Sequence, residues 1–185
     1  MREVTVSATI SAPREQVFDF VCDLSVRPSF ADHFMEDYRL ARVLPVGVGA
    51  AARFKIDLPL ANEYAELTIT KAERPRQIIE EIRVGRRGRN RSVAVYDFTR
   101  ESANVTRVQL TTFSEPATVV DRLKEIGAAG SIRRKTRKAL DRLRLIFEDP
   151  DRAKLKRATI AGYEPEKAAR FGAHAGMDPA RQSRL

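Results

Sequence analysis

The sequence predicts an α+β fold: one strand, two short helices, six further strands in an antiparallel meander, and one long closing helix. Three observations carry this. Residues 4–10 alternate apolar and mostly hydroxyl side chains with the period of a half-buried strand. From Tyr38 to Phe113, strand-like segments follow one another with only short Pro, Gly and Asn turns between them. From Val119 the apolar residues switch to steps of three and four and keep that period to Phe147. At 185 residues the chain suits one core and is too short for two ordinary domains.

In the first strand Val4, Val6, Ala8 and Ile10 share one face, while Thr5, Ser7, Thr9 and Ser11 share the other. Ser11 as cap and Pro13 in the first turn open a helix whose stripe is Val17, Phe18, Val21 and Cys22, ending at Asp23. Arg27-Pro28 restarts a short helix that sets Phe30 and Phe34 one turn apart. Strands are then predicted at Tyr38–Leu44, Ala51–Ile56, Tyr64–Ala72, Gln77–Val84, Ser92–Arg100 and Val105–Phe113. Their short connections require antiparallel neighbours. Ile82 and Val84, then Ala94, Tyr96 and Phe98, then Val108 and Leu110 give the apolar phase; Arg83, Asp97, Arg107 and Gln109 fall on the wet one. The last helix, about 30 residues and so about 45 Å long, must lie across the whole sheet. This places a domain at residues 1–148. Residues 149–185, rich in charge, Ala, Pro and Gly without sustained periodicity, read as a mobile charged tail with a helical start at Arg152 to Arg157.

Composition narrows the function. Hydrophobic residues at 43% and charged residues at 32% fit a globular chain and exclude a disordered one. No apolar run approaches the ~18 residues of a membrane span, and the N-terminus alternates too quickly for a signal peptide, so a cytoplasmic location is expected. Cys22 is the only cysteine, and His33 and His174 are the only histidines. Neither an intramolecular disulfide nor a Cys/His metal set can be assembled, and no cofactor motif is present, so no metal and no cofactor are expected.

The net charge of +9 sits mainly in RVGRRGRNR at residues 83–91 and in the basic stretch 131–147; the remaining body is mildly acidic. The first stretch lies between two strands, so its glycines make a turn and its arginines project from a hairpin tip. Two readings stay open: a solvated hairpin, or a contact of Arg86, Arg87 and Arg89 with an anionic membrane or protein surface. Specific nucleic-acid binding is not expected, because the nearest stacking residues, Tyr96 and Phe98, lie on the apolar phase. Among catalytic candidates, Cys22 on a core-facing helix has only His33 near it in sequence. Glu80, in phase with Ile82 and Val84, and Tyr96 are the one acid–base pair to name, although Glu80 also fits an exposed edge position.

Several local motifs converge with this element order. They are Ser11-Ala12-Pro13-Arg14-Glu15-Gln16-Val17-Phe18-Asp19-Phe20-Val21 followed by Asp23-Leu24, Gly49 ahead of a strand, Glu73-Arg74-Pro75-Arg76 between strands, and Thr106-Arg107-Val108 in the last strand. Over residues 2–148 the chain resembles the helix-grip fold of the SRPBCC superfamily, which includes START lipid-transfer domains, birch-pollen-allergen-type proteins, polyketide cyclase/dehydrase proteins and coenzyme Q-binding proteins. Phe30 departs from it, since members often place Trp there. The resemblance implies a curved seven-stranded antiparallel sheet wrapped around the long helix, with an apolar cavity between them. The candidate lining is Phe30, Phe34, Phe54, Leu67, Ile69, Ile82, Tyr96, Phe98, Leu110, Leu123, Gly127 and Gly130, each of which also serves as plain core. Gly127 and Gly130 cost a helix roughly 1 kcal/mol each against alanine, which a kink, a close contact or room for a ligand would offset.

The sequence therefore reads as a small cytoplasmic protein of bacterial type, monomer or homodimer, that binds an apolar or amphipathic small molecule such as a lipid, quinone or polyketide-like compound. A polyketide cyclase/aromatase-type enzyme and an adaptor on an anionic surface are the alternatives. Fold alone does not choose among them.

Overall fold

The computed structural model describes residues 2–58, 61–85, 88–153 and 155–162. Strand β1 (Arg2–Ile10) leads into α1 (Arg14–Cys22), a 3-10 turn (Leu24–Val26) and α2 (Pro28–Ala31). There follow β2 (Met35–Leu40), β3 (Ala51–Leu58), β4 (Ala61–Glu73), β5 (Gln77–Val84), β6 (Asn90–Ser102), β7 (Val105–Glu115) and α3 (Val119–Glu148). The seven strands form one antiparallel sheet in the order β1-β7-β6-β5-β4-β3-β2. Hairpins build the meander from β2 to β7, and β1 closes it by pairing Val6 with Leu110 and Ile10 with Thr106. The sheet curls into a half-barrel around α3, and the expected α+β class is the one observed.

Period-2 alternation decides which face turns inward. Val6 and Ile10 of β1, Phe54 of β3, Leu67 and Ile69 of β4 and Val108 of β7 are buried, while their chain neighbours face water or the rim. Against that concave face pack Val17, Phe18 and Val21 of α1, Phe30 of α2, and Leu140 and Leu143 of α3. Each aliphatic or aromatic side chain withdrawn from water contributes about 1.5–3 kcal/mol, so this face holds the helices on the sheet.

Several sequence expectations are corrected. Ser11 does not cap α1: Pro13 holds that position without a side-chain bond, and the Ser11 hydroxyl donates to Glu148 at 3.0 Å, tying β1 to the end of α3. Strand β2 ends at Leu40 and not Leu44, because its ladder with β3 stops at the Leu40–Ala52 pair and the chain turns outward, leaving Val43 and Leu44 exposed. A bulge between Glu36 and Arg39, with Asp37 at φ 49°, lets this edge strand begin as early as Met35.

The domain does not stop at residue 148. Residues 155–162, expected in a mobile tail, lie along β2 and the 3-10 turn. Ala158 is buried and donates its N–H to Ser25 O at 2.8 Å, and Leu40 N–H donates to Thr159 O at 2.9 Å. Lys156 joins the Asp32 carboxylate, and its N–H donates to the Ser29 hydroxyl at 2.8 Å. The segment escaped a periodicity search because it docks through backbone bonds and one small side chain.

The basic stretches are also less open than their composition suggests. The hairpin between β5 and β6 forms as expected, but Arg83 and Arg91 pair with Glu81 on the outer face. Arg86 and Arg87 lie outside the described residues. On α3, Lys135 pairs with Asp57, Arg142 with Asp32 and Arg144 with Glu148.

Candidate functional site: a cavity with a buried polar end

The concave face and the helices do not meet everywhere. Between them lies a cavity of about 200 Å³. Its wall follows the sequence periods. Strand β5 contributes residues 80, 82 and 84, β6 contributes 90, 92, 94 and 96, and β7 contributes 110, 112 and 114, every second position of each strand. Helix α3 closes it with Ile132, Lys135, Thr136 and Ala139, the i, i+3, i+4, i+7 stripe of one helix face. Phe30, Phe34 and Phe54 add aromatic wall, and most of the lining is apolar.

Polarity changes along its length. The cross-strand pairs run from Ile78–Tyr96 through Glu80–Ala94 and Ile82–Ser92 to Val84–Asn90, beside the basic hairpin. Near that hairpin the lining residues Glu63, Val84, Asn90 and Ser114 are half-buried, which makes it the outer end. The inner end carries Arg27 and Glu80, each 1% exposed, and Tyr96, 5% exposed.

This inner cluster is one network. Arg27 Nη2 donates to Glu80 Oε1 and to Val21 O, the latter at 3.3 Å, while Nη1 donates to the Tyr96 hydroxyl at 2.7 Å. The guanidinium carbon also lies 5.2 Å from the Phe30 ring centre and 5.4 Å from that of Tyr96, within cation–π range. Its position is fixed locally. Asp23 accepts the Ser25 N–H at 2.9 Å, Tyr38 donates to Leu24 O at 2.9 Å, and Pro28 starts α2 directly after Arg27. The turn thus holds Arg27 inward with little freedom. Burial pushes the Glu80 carboxyl above its usual range against the pull of Arg27. Burial works to discharge Arg27, but Glu80, joined by Tyr96 and Tyr38, outweighs it and keeps the guanidinium cationic. Burial, aided by the Glu80 charge, pushes the Tyr96 phenol up to about 12. Tyr96 is therefore a hydrogen-bonding group at neutral pH and not a phenolate.

Comparisons with known proteins support the architecture alone. No family model matches the chain, and no curated protein matches it at a significant level. Solved structures do match. The KanY protein, solved by NMR, has a TM-score of 0.63 at 18% identity, over 80% of this chain and 99% of that one. A protein from Nitrosospira multiformis has a TM-score of 0.60 at 16% identity, over 82% of this chain and 99% of its own. DynU16, from the dynemicin biosynthetic locus, has a TM-score of 0.55 at 15% identity, over 80% of this chain and 48% of its own. At these identities the shared property is the curled sheet with its closing helix.

Of the residues expected to line a cavity, Phe30, Phe34, Phe54, Ile82, Tyr96 and Leu110 do. Leu67, Ile69 and Phe98 do not. They are buried in solid core, Phe98 against Phe18 with ring centres 5.4 Å apart. Gly130 is exposed with open space where a Cβ would stand, so it makes no room for a ligand. Leu123 and Gly127 lie outside the residues whose side chains are described. Glu80 is not the exposed edge residue that its charge allowed. Cys22 and His33 form no nucleophilic pair: burial raises the Cys22 thiol, and burial lowers the His33 imidazole. The neutral His33 ring takes Nε2 to Lys135 O at 2.9 Å and Nδ1 to Arg142 at 3.2 Å, a tie between α3 and the segment after α2. The functional residue that sequence reasoning missed is Arg27. Its one signal was that it is the only charged residue of segment 24–31, where each neighbour, Ser25 and Ser29 included, is buried.

Proposed function

We propose that this chain binds an apolar or amphipathic small molecule inside the half-barrel, in the manner of the SRPBCC proteins it resembles, and works in the cytoplasm as a carrier or reservoir for it. The observation behind this reading is the cavity: an ordinary core fills such space, whereas here alternate residues of three strands and one face of α3 surround it without closing it.

The neutral fluorophore N-phenyl-1-naphthylamine tests the reading. Wild-type protein should bind one equivalent with a blue shift. Ala94→Phe, which fills the cavity from β6 at a site only 3% exposed, should abolish uptake and stay folded. No uptake by the wild type, or equal uptake by a folded Ala94→Phe, would refute it.

A second reading is favoured by one observation, that the titratable Glu80 lines the same cavity. In a cyclase-type reaction Glu80 would take a proton from the carbon beside a ketone while Tyr96 holds the developing oxyanion. Ring closure of a linear poly-β-ketone by the wild type and its loss in Glu80→Gln would support this reading, and turnover unchanged in Glu80→Gln would remove it.

A further inference from the structure

The polar end of the cavity has more hydrogen-bond donors than acceptors. A guanidinium carries five N–H groups, and those of Arg27 meet three acceptors: the Tyr96 oxygen, Val21 O and Glu80 Oε1. Its Nε is buried with no partner. Because the Tyr96 oxygen accepts from Arg27, its own proton is directed elsewhere, and no described residue accepts it. Against these spare donors the cluster offers one further acceptor, the second oxygen of Glu80. Buried donors without acceptors are uncommon, and each calls for a missing partner. Nε has no exposed surface, but both residues line the cavity, so a partner for the Tyr96 proton and for the second Nη1 N–H can come from its contents.

Charge points the same way. Arg27 already has its counter-ion in Glu80 at the same depth. An incoming group has to bring a lone pair and no net charge: a second carboxylate would crowd Glu80, and an ammonium would meet Arg27. We propose that the inner end of the cavity is a carbonyl site, in which Tyr96 O–H and Arg27 N–H hold the oxygen of an uncharged ketone, quinone or ester whose apolar body lies along Phe54, Ile82 and Leu110. This rests on the ligand-binding reading above and narrows its ligand to one class.

The test is displacement of N-phenyl-1-naphthylamine by four compounds of one chain length: 2-decanone, decane, decanoate and decylamine. The ketone should displace the probe at concentrations about tenfold below decane, the scale of one or two buried hydrogen bonds, with decanoate and decylamine weaker than the ketone. Tyr96→Phe should cut the ketone's advantage several-fold while decane is unaffected. Arg27→Met alone would leave Glu80 buried without a partner and endanger the fold, so Arg27→Met/Glu80→Met is the companion variant, and in it the preference should likewise fall several-fold, Tyr96 remaining as the one donor. A wild type that takes up the probe yet binds ketone no better than decane has its spare donors served by water, which overturns the carbonyl site and leaves the ligand-binding reading intact. A preference for decanoate, or a ketone preference undiminished in both variants, also overturns it. Failure to take up the probe at all defeats both.

Discussion

Arg27 is a cation only 1% exposed at the inner end of the cavity, and its contribution to stability depends on Glu80 remaining opposite it. Removing one partner of such a pair leaves an uncompensated buried charge, whereas replacing both with apolar groups of similar volume is often close to neutral. Arg27→Met should therefore lower unfolding stability by about 3–5 kcal/mol, and Arg27→Met/Glu80→Met should recover most of it; chemical denaturation of the three proteins measures both. A double variant no more stable than the single one would mean that the arginine acts through its packing on Phe30 and Tyr96 and not through its charge. A different balance holds at Asp32, which is less deeply buried. There burial alone would raise the carboxyl, but Lys156 and Arg142 outweigh it and hold it below the usual aspartate range. A depressed carboxylate adds stability above its unfolded pKa and loses it as pH falls through the folded one. Asp32→Asn should thus melt below wild type at neutral pH, with the gap closing as pH falls below about 4; a gap that persists in acid would assign the effect to shape and not charge. The inner cluster was only partly legible in the sequence. Tyr96 and Glu80 stood in the right strand phase, yet Arg27 is 53 residues from Glu80 and 69 from Tyr96, and Arg27-Pro28 reads simply as the restart of a short helix. Only the fold brings these side chains together.

Helix α3 shows where element-level reading succeeds and where it misleads. The step-of-three-and-four period located the helix and its buried stripe, with Ala139, Leu140 and Leu143 inward. Gly130 drew attention to the wrong face: the lining positions are 132, 135, 136 and 139, and Gly130 is exposed to open space. With nothing to offset its helix penalty, Gly130→Ala should stabilise the protein by about 1 kcal/mol and raise the melting temperature by about 2–4 °C; a drop would reveal a close contact at that site. The end of the domain was illegible for a related reason. Periodicity detects amphipathic faces, and residues 155–162 attach instead by backbone hydrogen bonds, one buried alanine and the Lys156–Asp32 pair. Truncation after Asp149 should therefore cost about 2 kcal/mol or more, since it strips several hydrogen bonds from the 3-10 turn and from Leu40. Truncation after Gly162 keeps every contact described for this segment and is the control. Equal melting temperatures for the full chain and the Asp149 truncation would show that the docked segment contributes nothing.

At the scale of the whole molecule, a curled sheet and a single long helix make two surfaces of different curvature, and the space left between them is where the chemistry collects. The strand order and the closing helix were readable from local patterns, because hairpins and a single amphipathic period specify them almost residue by residue. The cavity was not, because a residue facing a void and a residue facing core share the same alternation: Ile82 and Phe98 are both inward, and only the assembled half-barrel separates the first, on the wall, from the second, in solid packing. The function of the half-barrel turns on whether that space is occupied by a small molecule in the cell. Native mass spectrometry of protein purified from its own host, under conditions that preserve non-covalent complexes, measures this directly. The expected result is a single bound organic compound of low mass, uncharged and bearing a carbonyl oxygen, that is absent from a folded Ala94→Phe variant. A wild-type chain that carries no adduct and takes up no apolar probe, or an adduct retained when the cavity is filled, would contradict it.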